Sequence, residues 1–338
     1  MKILIIRNDK LGDFILSLPS YKLLKTAIPD SEVHALVPDY TSELAKTSPY
    51  IDKAIIDPTS DSTLAQQYQL LKTLRNEKYD AIITLYSTTR IGLLAFASGT
   101  KYRLAPATKI AQIFYNQHLT QRRSKSLKPE YEYNLDLIKK YLSDTGVTSS
   151  RPPQVPYLHF NNVDVKRIKE NFYEKYKINQ NNKLIFVHPG TGGSATNLSL
   201  QQYAALIETL GLSKALSFVI TAGPGELEKA NELSQLIKNI PHIVYHSTEG
   251  IVHFSKLIQG CDLFISASTG PLHIAGALNR ATAAFYQRRR SATPLRWQTL
   301  NSEEKRLAFT PPDGEHESDL SSVDVHIAAK AIINKFLA

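Results

Sequence analysis

The chain has 338 residues, of which 42% are hydrophobic and 21% are charged, so it is long enough for two domains of ordinary size. This composition excludes a collagen, a coiled-coil rod and a disordered chain. The single cysteine, Cys261, excludes an internal disulfide and a cysteine-based zinc site. The 40 basic and 31 acidic residues give a net charge of +9, which favours anionic partners such as nucleic acid, phosphorylated sugars or anionic lipid.

The N-terminus, MKILIIRNDKLGD, begins with a short apolar run that soon turns polar. This pattern predicts a buried strand rather than a signal peptide. No apolar run approaches the roughly 20 residues that a membrane helix needs. We therefore expect a cytoplasmic protein without a transmembrane segment.

Short apolar runs alternate with longer amphipathic patterns through the first half of the chain. Strands are predicted at residues 2–6, 33–37, 54–56 and 81–85. Helices are predicted at residues 13–27, 41–47, 64–78 and 91–98. Such alternation predicts βαβ units and a parallel sheet.

A second series begins near residue 183 and repeats this order of strand and helix patterns. Its strands are predicted at residues 184–187, 218–221, 243–245, 263–266 and 281–285. Its helices are predicted at residues 199–210, 226–238, 251–259 and 272–278. Because the two series share a pattern and not residue identities, we interpret them as two Rossmann-like halves rather than an array of repeats.

The join between the halves is predicted at residues 148–156, because Pro152, Pro153 and Pro156 cannot continue a helix. A helix at 164–176 leads into the second half. The predicted domains are residues 1–155 and 156–321, followed by an amphipathic helix at 322–338. We expect this last helix to pack back on the N-terminal domain.

The first candidate site follows the first strand and runs from Arg7 to Asp13. Ligands of open α/β sheets bind outside the carboxyl ends of the strands. Gly12 allows the tight turn by which such a loop enters a helix. Asp13 is explained either as a helix N-cap, worth about 1 kcal/mol, or, beside Arg7 and Lys10, as part of a site for a charged substrate.

The second candidate site follows the first strand of the second half and reads HPGTGGS, from His188 to Ser194. Its glycines, which include Gly192 and Gly193, leave backbone N–H groups open to a phosphate. The alternative interpretation is a flexible surface turn. The loop is neither a Walker loop nor a G-x-G-x-x-G dinucleotide motif, since position 195 is Ala.

The third candidate site follows a later strand and reads SASTGPLHIAGAL. Pro271 suits the first turn of a helix, whose free N–H groups together with the hydroxyls of Ser268 and Thr269 suit a diphosphate. His273 lies on that first turn, so we expect it to contact the same anion rather than to be purely structural. A weaker signal is Glu226, which either begins a helix or accepts a ribose hydroxyl.

Residues 101–128 carry seven basic residues and no acidic one: Lys101, Arg103, Lys109, Arg122, Arg123, Lys125 and Lys128. A solvated face explains this run. The aromatic residues Tyr102, Phe114 and Tyr115 among the basic ones are also typical of a stacking platform for nucleic acid.

Four segments that occur in order resemble glycosyltransferase family 9, the lipopolysaccharide heptosyltransferases: RNDKLGDFILSLPSYKLLK, VHPGTGGSATNLSLQQYAAL, TAGPGELEKA and SASTGPLHIAGAL. The resemblance implies an α/β protein with the GT-B fold, in which two Rossmann-like domains face a cleft. It implies an inverting, metal-independent enzyme with no cofactor, whose donor is a nucleotide sugar, commonly ADP-L-glycero-D-manno-heptose. The implied acceptor is the anionic lipopolysaccharide core, which places the enzyme at the inner face of the inner membrane.

The resemblance also implies roles for single residues. Asp13 corresponds to the catalytic base. The implied donor-binding residues, together with those of the phosphate interpretation, are Thr191, Gly192, Gly193, Glu226, Ser268, Thr269, Gly270, Pro271 and His273. Because the donor would occupy the second half, the acceptor is expected at basic residues of the first half: Arg7, Lys10, Arg103, Arg122 and Arg123.

Two positions depart from the family pattern. The usual Lys of the second motif is absent around Thr196, and the usual Asp of the third motif is Ser268. Both would lie near the donor phosphates and sugar, so the identity of the sugar stays open. Arg288, Arg289 or Arg290 is a candidate replacement for the missing cation, unless this run is simply a solvated loop.

Three alternatives remain beside the heptosyltransferase interpretation. The first is a GT-B enzyme that uses another nucleotide sugar or epimerises one, without an anionic acceptor. The second is a nicotinamide oxidoreductase, which the missing third glycine of both glycine loops disfavours. The third is a non-catalytic protein that binds nucleic acid through residues 101–128.

Overall fold

The KILII segment forms β1, and four of its five side chains are completely buried. β1 lies inside a parallel sheet, which explains why it is apolar on both faces.

The computed structural model describes residues 1–107, 110–148, 151–193, 195–213, 215–314 and 316–338. The chain divides into two units, Met1–Tyr157 and Leu158–Ala338, and the division falls at the end of the proline-rich segment.

The first unit contains a six-stranded parallel sheet with the strand order β3-β2-β1-β4-β5-β6. The strands are β1 (Lys2–Ile6), β2 (Glu32–Pro38), β3 (Lys53–Asp57), β4 (Ala81–Thr84), β5 (Tyr102–Pro106) and β6 (Gln117–Leu119). The helices are α1 (Leu11–Ile15), α2 (Leu18–Ala27), α3 (Asp39–Ala45), α4 (Leu64–Glu77), α5 (Thr89–Ala97) and α6 (Glu130–Asp144), with short 3₁₀ helices at Ile110–Phe114 and Arg123–Lys125.

The second unit repeats this plan, with the strand order β12-β11-β10-β7-β8-β9. Its strands are β7 (Lys183–His188), β8 (Leu216–Ala222), β9 (His242–His246), β10 (Leu263–Ala267), β11 (Ala281–Phe285) and β12 (Arg306–Phe309). Its helices are α7 (Asn162–Tyr176), α8 (Leu200–Leu210), α9 (Leu227–Leu236), α10 (Gly250–Gly260), α11 (Gly270–Ala277) and α12 (Val325–Ile332), which a π-helical turn at Ile333–Leu337 extends.

The helix predicted at residues 13–27 is two helices. α1 ends at Ile15 and α2 begins at Leu18, with Pro19 in its first turn. Proline lacks a backbone N–H and its ring clashes with the carbonyl four residues earlier, so one continuous helix cannot pass through this point. Asp13 therefore lies in a short, separate helix.

The C-terminal helix does not pack where it was expected. The buried side chains of α12, among them Ala328 and Ile332, join the apolar core of the second unit and lie against α8. His326 and Thr209 of α8 also share a hydrogen bond of 2.9 Å. The expectation that this helix packs back on the first unit is therefore wrong, because its apolar face is covered by its own unit.

Four elements had not been predicted, namely β5, β6, β12 and α6. The strands are edge or near-edge strands of five residues or fewer, too short for an apolar pattern to stand out. The helix α6 has a clear signal, since Tyr133, Leu137 and Tyr141 recur at helical spacing and are buried.

The strand orders define one switch point in each sheet. The first lies between β1 and β4, and the second lies between β7 and β10. The loop from Arg7 to Asp13 follows β1, whereas the glycine loop and the Ser-Thr-Gly-Pro turn follow β7 and β10. The switch point is where open α/β sheets bind their ligands, so the predicted loops occupy the expected position in each unit. None of the helices in the described ranges is both long and apolar enough to cross a membrane.

Candidate active site

Asp13 lies at the switch point of the first sheet as the third residue of α1. The N-cap of this helix is Lys10, so Asp13 is not the cap that the alternative interpretation required. Its carboxylate instead accepts a hydrogen bond of 2.5 Å from Nη2 of Arg7. With 14% of its side chain exposed, the carboxylate is mostly buried but still reaches the surface.

Arg7 holds this carboxylate within a buried ionic network. Its side chain is 2% exposed, and its Nε donates to Asp9 over 2.8 Å. Its Nη1 donates to Glu130 over 3.0 Å and to Asn134 over 3.1 Å. Glu130 and Asn134 lie one turn apart on α6, so both point to the same guanidinium. Arg7 was predicted to bind the acceptor, but its donors face these side chains, so we assign it to positioning Asp13.

The electrostatics of the network raise the pKa of Asp13. Burial has the largest effect and raises this pKa to about 6, against the attraction of Arg7, which lowers it. For Arg7 itself burial acts to lower the pKa, but Asp9, Asp13 and Glu130 outweigh burial and raise it. At neutral pH Asp13 is therefore ionised and is a stronger base than an ordinary aspartate.

The other basic residues predicted for the acceptor divide into two groups. Arg123 pairs with Glu130 over 2.7 Å, and Arg103 donates to the carbonyls of Phe114 and Thr100, so both guanidiniums are engaged within their own unit. Lys10 and Arg122 are exposed. Lys109, part of the same basic run, lies outside the described residues.

A second ion pair at this sheet edge, between a buried aspartate and a partly exposed arginine, was missed by sequence reasoning. Asp57 ends β3, and both of its carboxylate oxygens accept hydrogen bonds from Arg90 at the start of α5. Asn8 also donates to Asp57, which connects this pair to the loop after β1. The available signal was an aspartate that directly follows an apolar strand.

At the second sheet, Glu226 ties two glycine loops together. Its Oε1 accepts the N–H of Gly192 over 2.9 Å, and its Oε2 accepts the N–H of Gly223 over 3.0 Å. A Cβ on Gly190 would lie 2.2–2.3 Å from the atoms of this carboxyl group, so a larger residue there would displace Glu226. Gly192 and Gly193 have φ values of 50° and 72°, which favour glycine. The N–H of Gly192 is therefore already occupied by a carboxylate, and Ser194 lies outside the described residues.

His188 is a further polar residue of this edge that the sequence did not single out. Its Nδ1 lies 3.1 Å from the carbonyl oxygen of Thr221, and its Nε2 lies 3.5 Å from Glu226. Burial lowers the pKa of His188, although the nearby Glu226 acts to raise it. The imidazole is thus a fixed, mainly neutral support beneath the glycine loops.

The Ser-Thr-Gly-Pro turn forms the start of α11 as predicted. Thr269 is its N-cap and accepts the N–H of Leu272, while Ser266 joins β10 to β7 by donating to the carbonyl of His188 over 2.9 Å. His273 is almost fully buried, and burial lowers its pKa to about 4. Its Nε2 lies 3.4 Å from Ser268, and its Nδ1 has no hydrogen-bond partner among the described residues.

Thr196, one of the two positions that depart from the family pattern, and Arg288, a candidate replacement for the missing cation, are both engaged by neighbouring residues. Thr196 accepts a hydrogen bond from Gln287. Arg288 pairs with Asp313 over 2.6 Å and donates to the carbonyl of Pro312, whereas Arg289 and Arg290 are exposed. Arg288 is therefore held by a neighbouring loop.

Residues 67–315 match the family described as Glycosyltransferase family 9 (heptosyltransferase). The chain belongs to this family. The predicted resemblance to this family is thereby confirmed, and so is the prediction of a glycosyltransferase. Neither the oxidoreductase nor the nucleic-acid alternative gains support.

Relatives of this family 9 glycosyltransferase cover nearly the whole chain. A Haemophilus influenzae protein, provisionally named a glycosyltransferase, is 44% identical over 330 residues, which cover 97% of this chain and 95% of that protein. Lipopolysaccharide heptosyltransferase 1 of Campylobacter coli is 26% identical over 309 residues, which cover 87% of this chain and 85% of that enzyme.

Solved structures confirm the predicted α/β GT-B fold with two Rossmann-like units. The family 9 glycosyl transferase of Veillonella parvula has a TM-score of 0.82 at 17% identity, with 99% of this chain and 97% of that chain covered. The ADP-heptose heptosyltransferase II of Escherichia coli has a TM-score of 0.78 at 19% identity, with both chains covered completely.

Proposed function

We propose that this family 9 glycosyltransferase moves a heptose from ADP-heptose onto a lipopolysaccharide core, with inversion at the anomeric carbon and without a metal ion. The observation that carries the proposal is the carboxylate of Asp13, which Arg7 holds at the switch point of the first sheet and whose pKa burial raises to about 6. The substrates are those named for the relatives from Campylobacter coli and Escherichia coli.

In the proposed reaction Asp13 takes the proton of an acceptor hydroxyl while its oxygen attacks the anomeric carbon of the donor. The bond between this carbon and the diphosphate oxygen breaks, and ADP leaves with the electron pair. Because Arg7 fixes the carboxylate, the base is oriented before the acceptor binds.

The second sheet is proposed to bind the ADP part of the donor. At the start of α11 the N–H of Gly270 suits the diphosphate, together with the hydroxyl of Ser268, whereas Pro271 has no N–H and Thr269 accepts the N–H of Leu272. The neutral imidazole of His273 can donate one further hydrogen bond. The glycine loop with Thr191 and Gly193, tied down by Glu226, completes the proposed site.

The positions of the acidic and histidine side chains support the proposed metal independence. Within the described ranges, the side chains close enough to share a cation are Glu32, His34 and Glu77. They lie at the amino ends of the strands, opposite the edge that carries Asp13, and Lys2 and Lys53 already pair with their carboxylates. We therefore propose that helix and loop N–H groups stabilise the leaving ADP in place of a cation.

The proposed acceptor is anionic and lipid-linked, and one surface of the first unit suits it. Between Asp80 and Glu130 the sequence has eight Lys or Arg residues and no acidic residue. Within this stretch Leu93 and Phe96 of α5, and Ile110 and Ile113 of the adjacent 3₁₀ helix, are 52–74% exposed. Apolar side chains among basic residues are typical of surfaces that bind anionic membranes. We propose that this surface brings a cytoplasmic enzyme to the inner face of the membrane.

Membrane binding is tested by co-sedimentation with vesicles of phosphatidylglycerol and with vesicles of phosphatidylcholine. Leu93→Ser with Ile113→Ser should weaken binding to the anionic vesicles. The matched control, Val163→Ser with Leu212→Ser, removes apolar side chains of the second unit that are even more exposed and should bind like wild type. Equal binding by both double variants would contradict the assignment of this surface.

The reaction itself is tested by incubating the enzyme with purified lipopolysaccharide core and a panel of nucleotide sugars in the presence of EDTA. Release of nucleoside diphosphate should occur with ADP-heptose and should require the core acceptor. Turnover with a UDP-sugar alone would identify a different donor. Epimerisation of a nucleotide sugar without acceptor would contradict the proposal of transfer.

A further inference from the structure

Glu130 lies in the same buried ionic network as Asp13, on the other side of Arg7. Its Oε1 accepts from Arg7 over 3.0 Å and from Arg123 over 2.7 Å, and its side chain is almost fully buried. Arg7 in turn donates to Asp13 over 2.5 Å. One guanidinium therefore separates the carboxylate of Asp13 from that of Glu130.

We infer that Glu130 is a positioning residue that sets the basicity of Asp13 through Arg7, with Arg123 opposing it. This inference rests on the proposed role of Asp13 as the base. A buried carboxylate on the far side of Arg7 takes up part of the positive charge that would otherwise stabilise ionised Asp13 alone. Glu130 thus keeps the reactive carboxylate basic without approaching the substrate.

Counting the charges gives the direction of this effect. Asp9, Asp13 and Glu130 supply three carboxylates against the guanidiniums of Arg7 and Arg123, which leaves one negative charge in excess. Removing the charge of Glu130 balances the network, and removing that of Arg123 leaves two negative charges in excess. The two substitutions should therefore shift the titration of Asp13 in opposite directions.

Other described residues that contact the network or lie beside it are Tyr40, Tyr86, Lys10 and Asn134. Tyr40 donates its hydroxyl to the carbonyl of Asp9 over 2.8 Å, and burial raises its pKa, so it stays neutral. Tyr86 lies with its ring 5.9 Å from the Arg7 guanidinium. Lys10, on the same loop, is exposed, and its charge is screened by solvent. Asn134 contributes an amide oxygen and no charge.

Glu130 also lies on a helix that is hydrogen-bonded to the end of α1. It is the first residue of α6, and Asn134 on the next turn donates to the carbonyl of Leu16 over 3.3 Å, just after α1. α6 is therefore tied to the short helix that carries Asp13. This placement allows Glu130 to act on both the charge and the orientation of the base.

The test measures the titration of Asp13 directly, in the full chain labelled with ¹³C on its aspartate carboxyl groups. Asp13→Asn identifies the signal by its loss. Glu130→Gln should lower the pKa of Asp13, Arg123→Gln should raise it, and Glu130→Asp, which keeps the charge, should leave it near the wild-type value. The matched control is Asp136→Asn, which removes a carboxylate from the same helix that pairs with Lys128 instead.

The pH dependence of transfer supplies a second readout. With Glu130→Gln the acid limb of kcat/KM should move to lower pH by roughly one pH unit, the size typical of a nearby charge. The plateau should fall several-fold, because a less basic carboxylate is a weaker general base. A merely structural role would lower activity at every pH without moving the limb.

The outcomes separate this inference from the proposed function. If Asp13→Asn retains transfer, the base assignment fails, whatever Glu130 does to the titration. If Asp13→Asn abolishes transfer but Glu130→Gln and Arg123→Gln leave the Asp13 titration unmoved, only the role of Glu130 is overturned. Shifts of equal sign in these two variants would also overturn it.

Discussion

The two sheets present different chemistry at equivalent edges. At the first sheet, charged side chains meet in a buried network, with Arg7 among three carboxylates. At the second sheet, the corresponding loops offer backbone N–H groups, hydroxyls and a neutral imidazole, with Glu226 as the buttressing acid. In the proposed reaction the first edge transfers a proton and the second binds an anion, a difference that depends on the residues of the loops after the strands.

The largest effect is expected for Asp13→Asn, which removes the proposed base from the charged edge. Transfer should fall by about 10²–10⁴-fold, while ADP binding stays unchanged because the second edge is untouched. Asp30→Asn, an exposed carboxylate of the same unit, is the control. Turnover close to wild type in Asp13→Asn would contradict the proposal that the first sheet edge supplies the base.

Asp13→Asn should also make the protein more stable at neutral pH. Because the folded pKa of about 6 lies above the usual 3.8, the unfolded state loses its proton first, and stability falls as pH rises between these values. Relief of this cost should raise the free energy of unfolding by up to about 3 kcal/mol at pH 7. Urea denaturation at pH 4 and at pH 7 checks this, since the gain should vanish at pH 4.

Gly190→Ala tests the role of the second sheet edge in binding ADP. The added Cβ would meet the carboxyl group of Glu226 and push it out of the glycine loops. ADP affinity, measured by calorimetry, should fall by about tenfold or more, which corresponds to about 1.4 kcal/mol, while the Asp13 titration stays unchanged. Gly260→Ala is the control, since its Cβ would meet only the flexible stem of Lys169. Unchanged ADP binding in Gly190→Ala would place the nucleotide elsewhere.

Because the imidazole of His273 is buried, we expect the free energy of unfolding of the second unit to fall at acidic pH. Its folded pKa of about 4 lies below the usual 6.5, so the unfolded state takes up the proton first as pH falls. Stability should drop between pH 6.5 and pH 4 by up to about 3 kcal/mol from this residue. His273→Gln should flatten that slope in urea titrations, and an equally steep slope would show that His273 is not the group responsible.

The smallest effect is expected at the surface of the charged edge. Arg122→Glu with Lys125→Glu should raise the acceptor KM several-fold and flatten its dependence on salt, because exposed charges are screened over about 8 Å. ADP affinity should not change. Lys46→Glu with Lys72→Glu makes the same change of charge on exposed residues elsewhere in the first unit. If both double variants alter the acceptor KM alike, the effect is one of net charge only.

Most of the fold could be predicted because it depends on local patterns. Buried strands such as KILII and the amphipathic helices can be recognised from a few consecutive residues. The positions of the four candidate loops then follow from where the strands end. The break before Pro19 was also available from the sequence, since a proline ends a helix. The edge strands could not be predicted, because a run of three to five residues with both polar and apolar side chains shows no clear strand pattern.

The site was predictable in position but not in its contacts. Asp13 could be placed from the turn at Gly12, but its ionic network depends on Glu130 and Asn134, which lie 123 and 127 residues from Arg7 in sequence. The contact of Glu226 with Gly192 likewise joins residues 34 apart. Charge alone suggested that Arg7, Arg103 and Arg123 bind the acceptor, whereas tertiary contacts within the first unit engage all three.

The division between a proton-transfer edge and a nucleotide edge is tested most directly by hydrogen–deuterium exchange of the full chain with and without ADP. The largest protection should fall on the amides of the loops after β7 and β10, at residues 188–193 and 268–274, while residues 7–13 change little. Protection centred on residues 7–13, with the second unit unaffected, would contradict the account.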